Sequence, residues 1–266
     1  MEDPWATVDA LAADTELGAS EMAGRAARIL PAFSPDELPD AIETLLRGHP
    51  QMAPLWRLAS DLLSSSDPTT GAEWFLGRQA EDANAVNVLA PILPDEILTI
   101  SYSSTVKEAI RMRQPKKVLC MSSDPGGEGL QMMGSVSGYT EASVIKDAEA
   151  LKKVPAQAVV VGADAITPTS LVNKVKTRQL AEAARKKSVP CFALAGETKF
   201  FPAELPLDDR FQPTSLDLFS GIATPMGLIT PSEATMYATD VKLHPALAML
   251  VERIGEPEEP SEGPAS

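Results

Sequence analysis

Two cysteines and two histidines are all that these 266 residues contain of the side chains that most often hold transition metals or form disulfides. A disulfide framework is excluded by number, and no Cys/His cluster has zinc-ligand spacing. Cys120 in V-L-C-M and Cys191 in P-C-F-A-L-A sit in apolar, strand-like runs, where a free cysteine packs as a small hydrophobe. His49 and His244 both precede proline, lie far apart in sequence and read as structural. Neither a metal nor a cofactor is expected.

Positive charge is the second shortage. Lys and Arg number 23 against 37 Asp and Glu, a formal net charge of −14. Such a field repels phosphate polymers, so direct nucleic-acid binding is not expected. A bound sugar phosphate would have to rely on a local basic pocket or on helix N-termini. Long apolar runs are missing too: none approaches the roughly 20 residues of a membrane span. The opening M-E-D-P-W-A-T has neither the basic start nor the apolar core of a secretory signal. The expectation is a soluble cytoplasmic protein without membrane partners, long enough for one large domain or two smaller ones.

What is present falls into two patterns. Residues 1–92 read as a helical domain. Met22, Ala26 and Leu30 recur at four-residue spacing. Ser34, Pro35 and Glu37 have the form of a capping box opening a helix with the stripe Leu38, Ile42, Leu45 and Leu46, ended by Gly48 and Pro50. Met52, Leu55, Leu58 and Leu62 mark another helix. The polar stretch Ser64–Thr70 reads as a loop, and Trp74, Phe75 and Ala80 open a longer helix toward Asn87.

Pro91 and Pro94 punctuate the change of pattern. Residues 93–254 alternate strand and helix: strands are expected at 97–101, 118–121, 142–145, 158–161 and 191–195, with a glycine-rich turn at 124–129. This alternation implies a Rossmann-like α/β domain with a mainly parallel sheet and right-handed crossovers. The last residues, 255–266, are acidic, lack large apolar side chains and are expected to be disordered. No internal repeat is apparent.

The central stretch is A-V-V-V-G-A-D-A-I-T-P-T-S-L-V-N-K, from Ala158 to Lys174. A β-branched run suits a strand buried on both faces. It stops at Gly162 and places Asp164 just past the strand end. A loop with Pro168 and Thr169 then leads to Asn173-Lys174 and a helix carrying Val175, Leu180, Ala181 and Ala184. In open α/β sheets ligands bind outside the carboxyl ends of strands, so Asp164 is expected in any pocket.

With N-K-V-K-T-R-Q-L-A-E-A-A-R-K-K-S-V-P, this stretch resembles the signature of one superfamily. Its members are the alpha, beta and delta regulatory subunits of translation initiation factor 2B, methylthioribose-1-phosphate isomerase and ribose-1,5-bisphosphate isomerase. Four more matches occur in family order: G-A-S-E-M-A-G-R-A from Gly18, I-L-T-I-S-Y-S-S-T-V from Ile97, S-S-D-P-G-G-E-G-L from Ser122 and A-T-P-M-G-L-I from Ala223. The isomerases interconvert aldose and ketose sugar phosphates with a paired acid and base. The resemblance implies Asp164 as one catalytic group and places Ser101 where the isomerases carry a cysteine. It implies Asn173 and Lys174 as ligand-binding residues. Gly126, Gly127 and Gly129 resemble a phosphate cradle, and Tyr102 and Ser103 are further candidates for hydrogen bonds to a ligand.

The departures concern chemistry. A serine hydroxyl is a far weaker acid than a thiol. Leu17 and Asp124 stand where relatives carry arginines that suit anions. Lys176 replaces a glycine and returns positive charge at a different place. The expectation is a non-catalytic or regulatory member that keeps a small-ligand pocket for a sugar or sugar phosphate. It is expected to be a homo-oligomer, with a homodimer favoured. The alternatives are an aldose-ketose isomerase with Asp164 as acid-base residue, and a translation-associated interaction subunit.

Overall fold

The structure is a computed structural model that describes residues 3–124 and 126–255. Helices α1 (Pro4–Ala13), α2 (Ala19–Ile29), α3 (Leu38–Gly48), α4 (Ala53–Ser64), α5 (Pro68–Asp82) and α6 (Ala85–Leu89) come first. Several have explicit starts. Asp3 accepts from the Trp5 amide ahead of α1, and Asp67 accepts from the Thr69 and Thr70 amides ahead of α5. Each is followed by proline at the first helical position, where its missing N–H costs nothing. The Ser64–Thr70 stretch is therefore loop only at its centre.

Two helix expectations shift. Ser34 and Glu37 do bond, Oγ to Oε2 at 2.6 Å, but they close a turn, and α3 begins at Leu38 with Pro39 in its first turn. The helix opened by Trp74 stops at Asp82, and residues up to Leu89 form the separate α6. Met22, Ala26, Leu45, Leu58, Leu62, Trp56 and Phe75 all bury in one apolar cluster. Leu247 and Leu250 of α12 (Ala246–Gly255), the last helix among the described residues, join it, so that helix returns to pack on α3 and α4.

Strands β1 (Glu96–Thr99), β2 (Lys117–Met121), β3 (Glu141–Ile145), β4 (Ala158–Val161), β7 (Cys191–Leu194), β9 (Gly221–Thr224) and β10 (Gly227–Ile229) form a seven-stranded sheet in the order β10-β9-β7-β4-β1-β2-β3. All neighbours are parallel except the β9–β10 hairpin at one edge. Helices α7 (Ser104–Arg113), α8 (Glu128–Val136), α9 (Asp147–Lys153), α10 (Thr177–Lys186) and α11 (Pro231–Asp240) intervene. The strands at the centre are buried on both faces, as V-V-V-rich runs require: β4 is buried at every position. The chain runs outward from β1 through β2 and β3, then returns to lay β4 on the other side of β1. The order of strands therefore reverses between β1 and β4, and in open α/β sheets it is the crevice at the carboxyl ends of such a switch point that binds ligands.

One correction bears on the site. The segment after Asp164 is not a loop leading into a helix. β5 (Ala165–Ile166) and β6 (Ser170–Lys174) form a hairpin, and β6 pairs with β8 (Phe211–Ser215) in a second, antiparallel sheet. Asn173 and Lys174 are strand residues, and α10 starts three positions later, after Lys176 at φ +77°. The cause is the run S-L-V: both faces are buried, so packing between the helical cluster and the main sheet decides its conformation. The acidic terminal segment, from residue 256 onward, lies outside the described residues. No helix among the described residues is long and apolar enough to cross a membrane.

Candidate ligand pocket

A cavity of about 530 Å³ opens at the carboxyl ends of β1 and β4, between the main sheet, the start of α2 and the small sheet. That volume is in the range of pockets for small molecules. Eight of the nine sequence candidates line it: Asp164, Ser101, Tyr102, Ser103, Asn173, Lys174, Gly126 and Gly127. Gly129 does not. A Cβ there would lie 1.7 Å from the Met121 carbonyl oxygen, so this glycine lets α8 press against the end of β2. Gly127, at φ +71° with open space around it, is a glycine for conformational reasons.

The end of β1 is a tight structure. Ser101 has φ +63° and Ser123, after β2, has φ +61°. Ser101 donates its amide to Ser123 Oγ at 2.8 Å, and that hydroxyl donates to the Met121 carbonyl at 3.1 Å. Left-handed serines are uncommon, and here the paired hydrogen bonds between two strand ends hold them. Ser103 caps α7 by accepting from the Val106 amide, while Gly162 leaves room for that side chain: a Cβ would come 2.7 Å from Ser103 Oγ.

Asp164 holds its place by backbone. Its amide donates to Val172 of β6 and its carbonyl accepts from Ala53 at the start of α4, so it ties the small sheet to the helices. The carboxylate makes no hydrogen bond among the described residues. Burial pushes its pKa up, and the positive charges of Lys199 and Lys174 pull it partly back.

Lys199 was invisible in the sequence reading. It is 7% exposed, lines the cavity and has no ion-pair or hydrogen-bond partner for its ammonium among the described residues. Burial lowers its pKa, against the fields of Asp164 and Asp82. Its short 3-10 turn, Glu197–Lys199, is fixed from α5: Asp82 accepts from the Glu197 amide at 2.6 Å and from the Thr198 amide at 3.3 Å. A Cβ on Gly196 would strike the Asp82 carboxyl carbon at 2.0 Å. The G-E-T-K string gave no hint because its anchor lies 115 residues earlier.

The facing wall has its charges paired. Lys174, 8% exposed, forms an ion pair with Glu128 at the start of α8. Glu128 folds back over Gly126, where a Cβ would meet its Oε1 at 2.5 Å, and its Oε2 is buried without a partner among the described residues. Beyond it, Asp147 accepts from Ser122 Oγ and the Ser123 amide, both at 2.9 Å, from the Asp124 amide at 3.1 Å, and from Lys176 Nζ. Burial pushes the Asp147 pKa up, but these hydrogen bonds together draw it below the ordinary carboxylate value. Lys176 and Asp124 thus belong to a loop clamp away from the cavity, whereas Leu17 lines the cavity.

Neither cysteine reaches the pocket. Cys120 is in β2 and Cys191 in β7, both packed in the core, and burial pushes each thiol up to about 12. His49 is buried, and its ring Nε2 donates to the Leu11 carbonyl at 2.8 Å.

The sequence profile of the initiation factor 2 subunit family matches residues 79–222. A Pyrococcus horikoshii protein named as a translation initiation factor eIF-2B subunit 2-like is 32% identical over 232 residues, covering 74% of this chain and 82% of that relative. The chain belongs to the initiation factor 2 subunit family. Among solved structures this family member is similar to the translation initiation factor eIF-2B of P. horikoshii OT3, with TM-score 0.78 and 27% identity over 88% of this chain and 98% of that one. The fold is also that of the 5-methylthioribose 1-phosphate isomerase of P. horikoshii OT3, with TM-score 0.65 and 18% identity over 91% and 89% of the two chains. A chain of the tetrameric eIF2B-beta2-delta2 complex of C. thermophilum matches with TM-score 0.72 and 18% identity over 90% and 95%. The same fold therefore serves in a subunit of an oligomeric assembly and in an enzyme.

Proposed function

We propose that this initiation factor 2 family member is a non-catalytic, ligand-binding protein whose cavity takes a small polyhydroxylated molecule and reports its presence to a protein partner. One observation carries the reading: the cavity holds a free carboxyl group but no thiol. Shuttling hydrogen between adjacent carbons takes two groups of matched proton affinity. Asp164 supplies one. At the end of β1 the other position is Ser101, and both thiols of the chain are locked in the sheet.

A second reading, an aldose-ketose isomerase, draws on Asp164, a carboxyl group facing the cavity whose pKa burial raises above the ordinary carboxylate value. It lacks a second acid-base group of comparable strength, unless Lys199 serves. We infer self-association as well. Leu228 on the edge strand β10 and Met226 beside it are exposed apolar side chains, a surface suited to a second copy.

The test is thermal unfolding of the full chain with a panel of pentoses, pentitols and their phosphates. A ligand for the folded state raises Tm by mass action. At least one compound is expected to raise it for the wild type and to lose most of that effect in Asp164→Asn and Lys199→Met. No compound doing so removes the reading.

A further inference from the structure

The chemistry of the ligand can be narrowed, resting on the reading of this cavity as a ligand site. Seven charged side chains line it: the carboxylates Glu16, Glu21, Glu128 and Asp164 against the cations Lys174, Lys199 and Arg210. Two of the cations are already taken. Lys174 is bound by Glu128. Arg210 is clamped by Asp208, with contacts of 2.7, 3.2 and 3.3 Å.

A phosphate would need at least two free donors of positive charge, or an open helix start. The helix starts are no better placed. Glu128 occupies the first turn of α8, the start of α2, which lacks a side-chain cap, is flanked by Glu16 and Glu21, and the start of α7 is already capped by Ser103, which accepts from the Val106 amide. What remains without an ion-pair partner among the described residues is one cation, Lys199, against two carboxylates, Asp164 beside it and the exposed Glu16 at the mouth, so the unpaired charge of the cavity is net negative. Around them are the hydroxyls of Ser20, Ser101, Ser104 and Thr105, which make no hydrogen bonds of their own among the described residues. A neutral diol or polyol matches this set: a hydroxyl donates to the carboxylate, another accepts from the ammonium, and no net charge is brought in.

We propose that the pocket selects a phosphate-free polyhydroxylated ligand, and that Glu128 sets this preference by occupying the ammonium of Lys174, the place where a ligand's anionic group would otherwise bind. Two observations mark Glu128 as a stand-in for an anion. It reaches Lys174 by folding over a glycine that makes room for it. Its second oxygen, Oε2, is buried with nothing to accept from, an arrangement that costs stability and that a core built only for packing avoids.

The experiment is calorimetric titration of D-ribose and D-ribose 5-phosphate into the wild type and into Glu128→Gln. The wild type is expected to bind ribose on the order of 10-fold more tightly than its 5-phosphate, since a like charge at close range costs about that much. Glu128→Gln frees Lys174. The 5-phosphate should gain roughly 10-fold or more, while ribose changes by less than about 3-fold. Adding Lys174→Gln to that variant should cancel the gain. Tighter binding of the 5-phosphate by the wild type overturns the inference alone, and so does an unchanged preference in a folded Glu128→Gln protein. If neither sugar nor any compound of the unfolding panel binds, the ligand-site reading fails and takes this inference with it. The wild-type comparison decides the matter even if the variant does not fold.

Discussion

The two walls of the cavity use the same residue types to opposite ends. On the β2 and β6 side, Glu128 and Lys174 neutralise one another, and Asp147 gathers two amides, a hydroxyl and an ammonium. On the β4 and β7 side, Asp164 and Lys199 face the same space with no partners for their charges. A carboxylate with its hydrogen bonds satisfied, as Asp147 has, holds loops in place. A buried unpaired charge destabilises the fold and is kept where a ligand supplies the missing partner. The first wall has its charges occupied from within, and the second leaves its charges open to the cavity.

Substitutions that remove a charge from each wall should break this comparison most visibly. Asp147→Ala strips the acceptor from three groups of one loop and from Lys176, and should cost about 3 kcal/mol in urea unfolding. Lys199→Met should leave stability equal or raise it by about 1 kcal/mol, because no partner among the described residues is orphaned, while ligand binding is lost. Loss of stability in Lys199→Met as large as in Asp147→Ala would mean that the second wall is scaffold too.

The glycines near Glu128 sharpen the same contrast. Gly129→Ala drives a methyl into the Met121 carbonyl and should cost about 2 to 3 kcal/mol, with ligand affinity kept in whatever protein remains folded. Gly127→Ala meets no atom and suffers only its positive φ, so about 1 kcal/mol is expected. Chemical denaturation of both variants measures the difference.

The smallest effect lies in the pH dependence of stability, and its sign differs between the walls. Asp147 has a folded pKa below its unfolded value of about 3.9, so its contribution is present above that pH and is lost as pH falls through the folded value. Asp164 has a raised folded pKa. Its contribution is present below about pH 3.9 and is lost as pH rises through the folded value. Asp147→Asn should therefore flatten the acid limb of a stability profile, and Asp164→Asn should remove the decline above it.

Much of this was legible in the chain. The apolar run at Ala158, the alternation after Pro94 and the position of Asp164 follow from local pattern, and eight candidate residues line one cavity. Asn173 and Lys174 line the cavity from a strand rather than from the approach to a helix, since β6 is set by packing on both faces and by its pairing with the distant β8. Gly127 and Gly129 look alike in sequence and differ by what a methyl would touch. Lys199 could not be read at all. Its burial depends on Asp82, and the helix that carries Asp82 was recognised only as helix. The partner of Lys174 was equally hidden, because Glu128 reads as one more acid in an acidic chain.

The most direct test of the central claim is ¹³C NMR of C1-labelled pentoses and pentose phosphates incubated with the wild type and with Asp164→Asn. The account predicts that the aldose signal persists unchanged in both samples. A ketose appearing with the wild type and absent with Asp164→Asn would show that this pocket catalyses isomerisation without a thiol, and would contradict it.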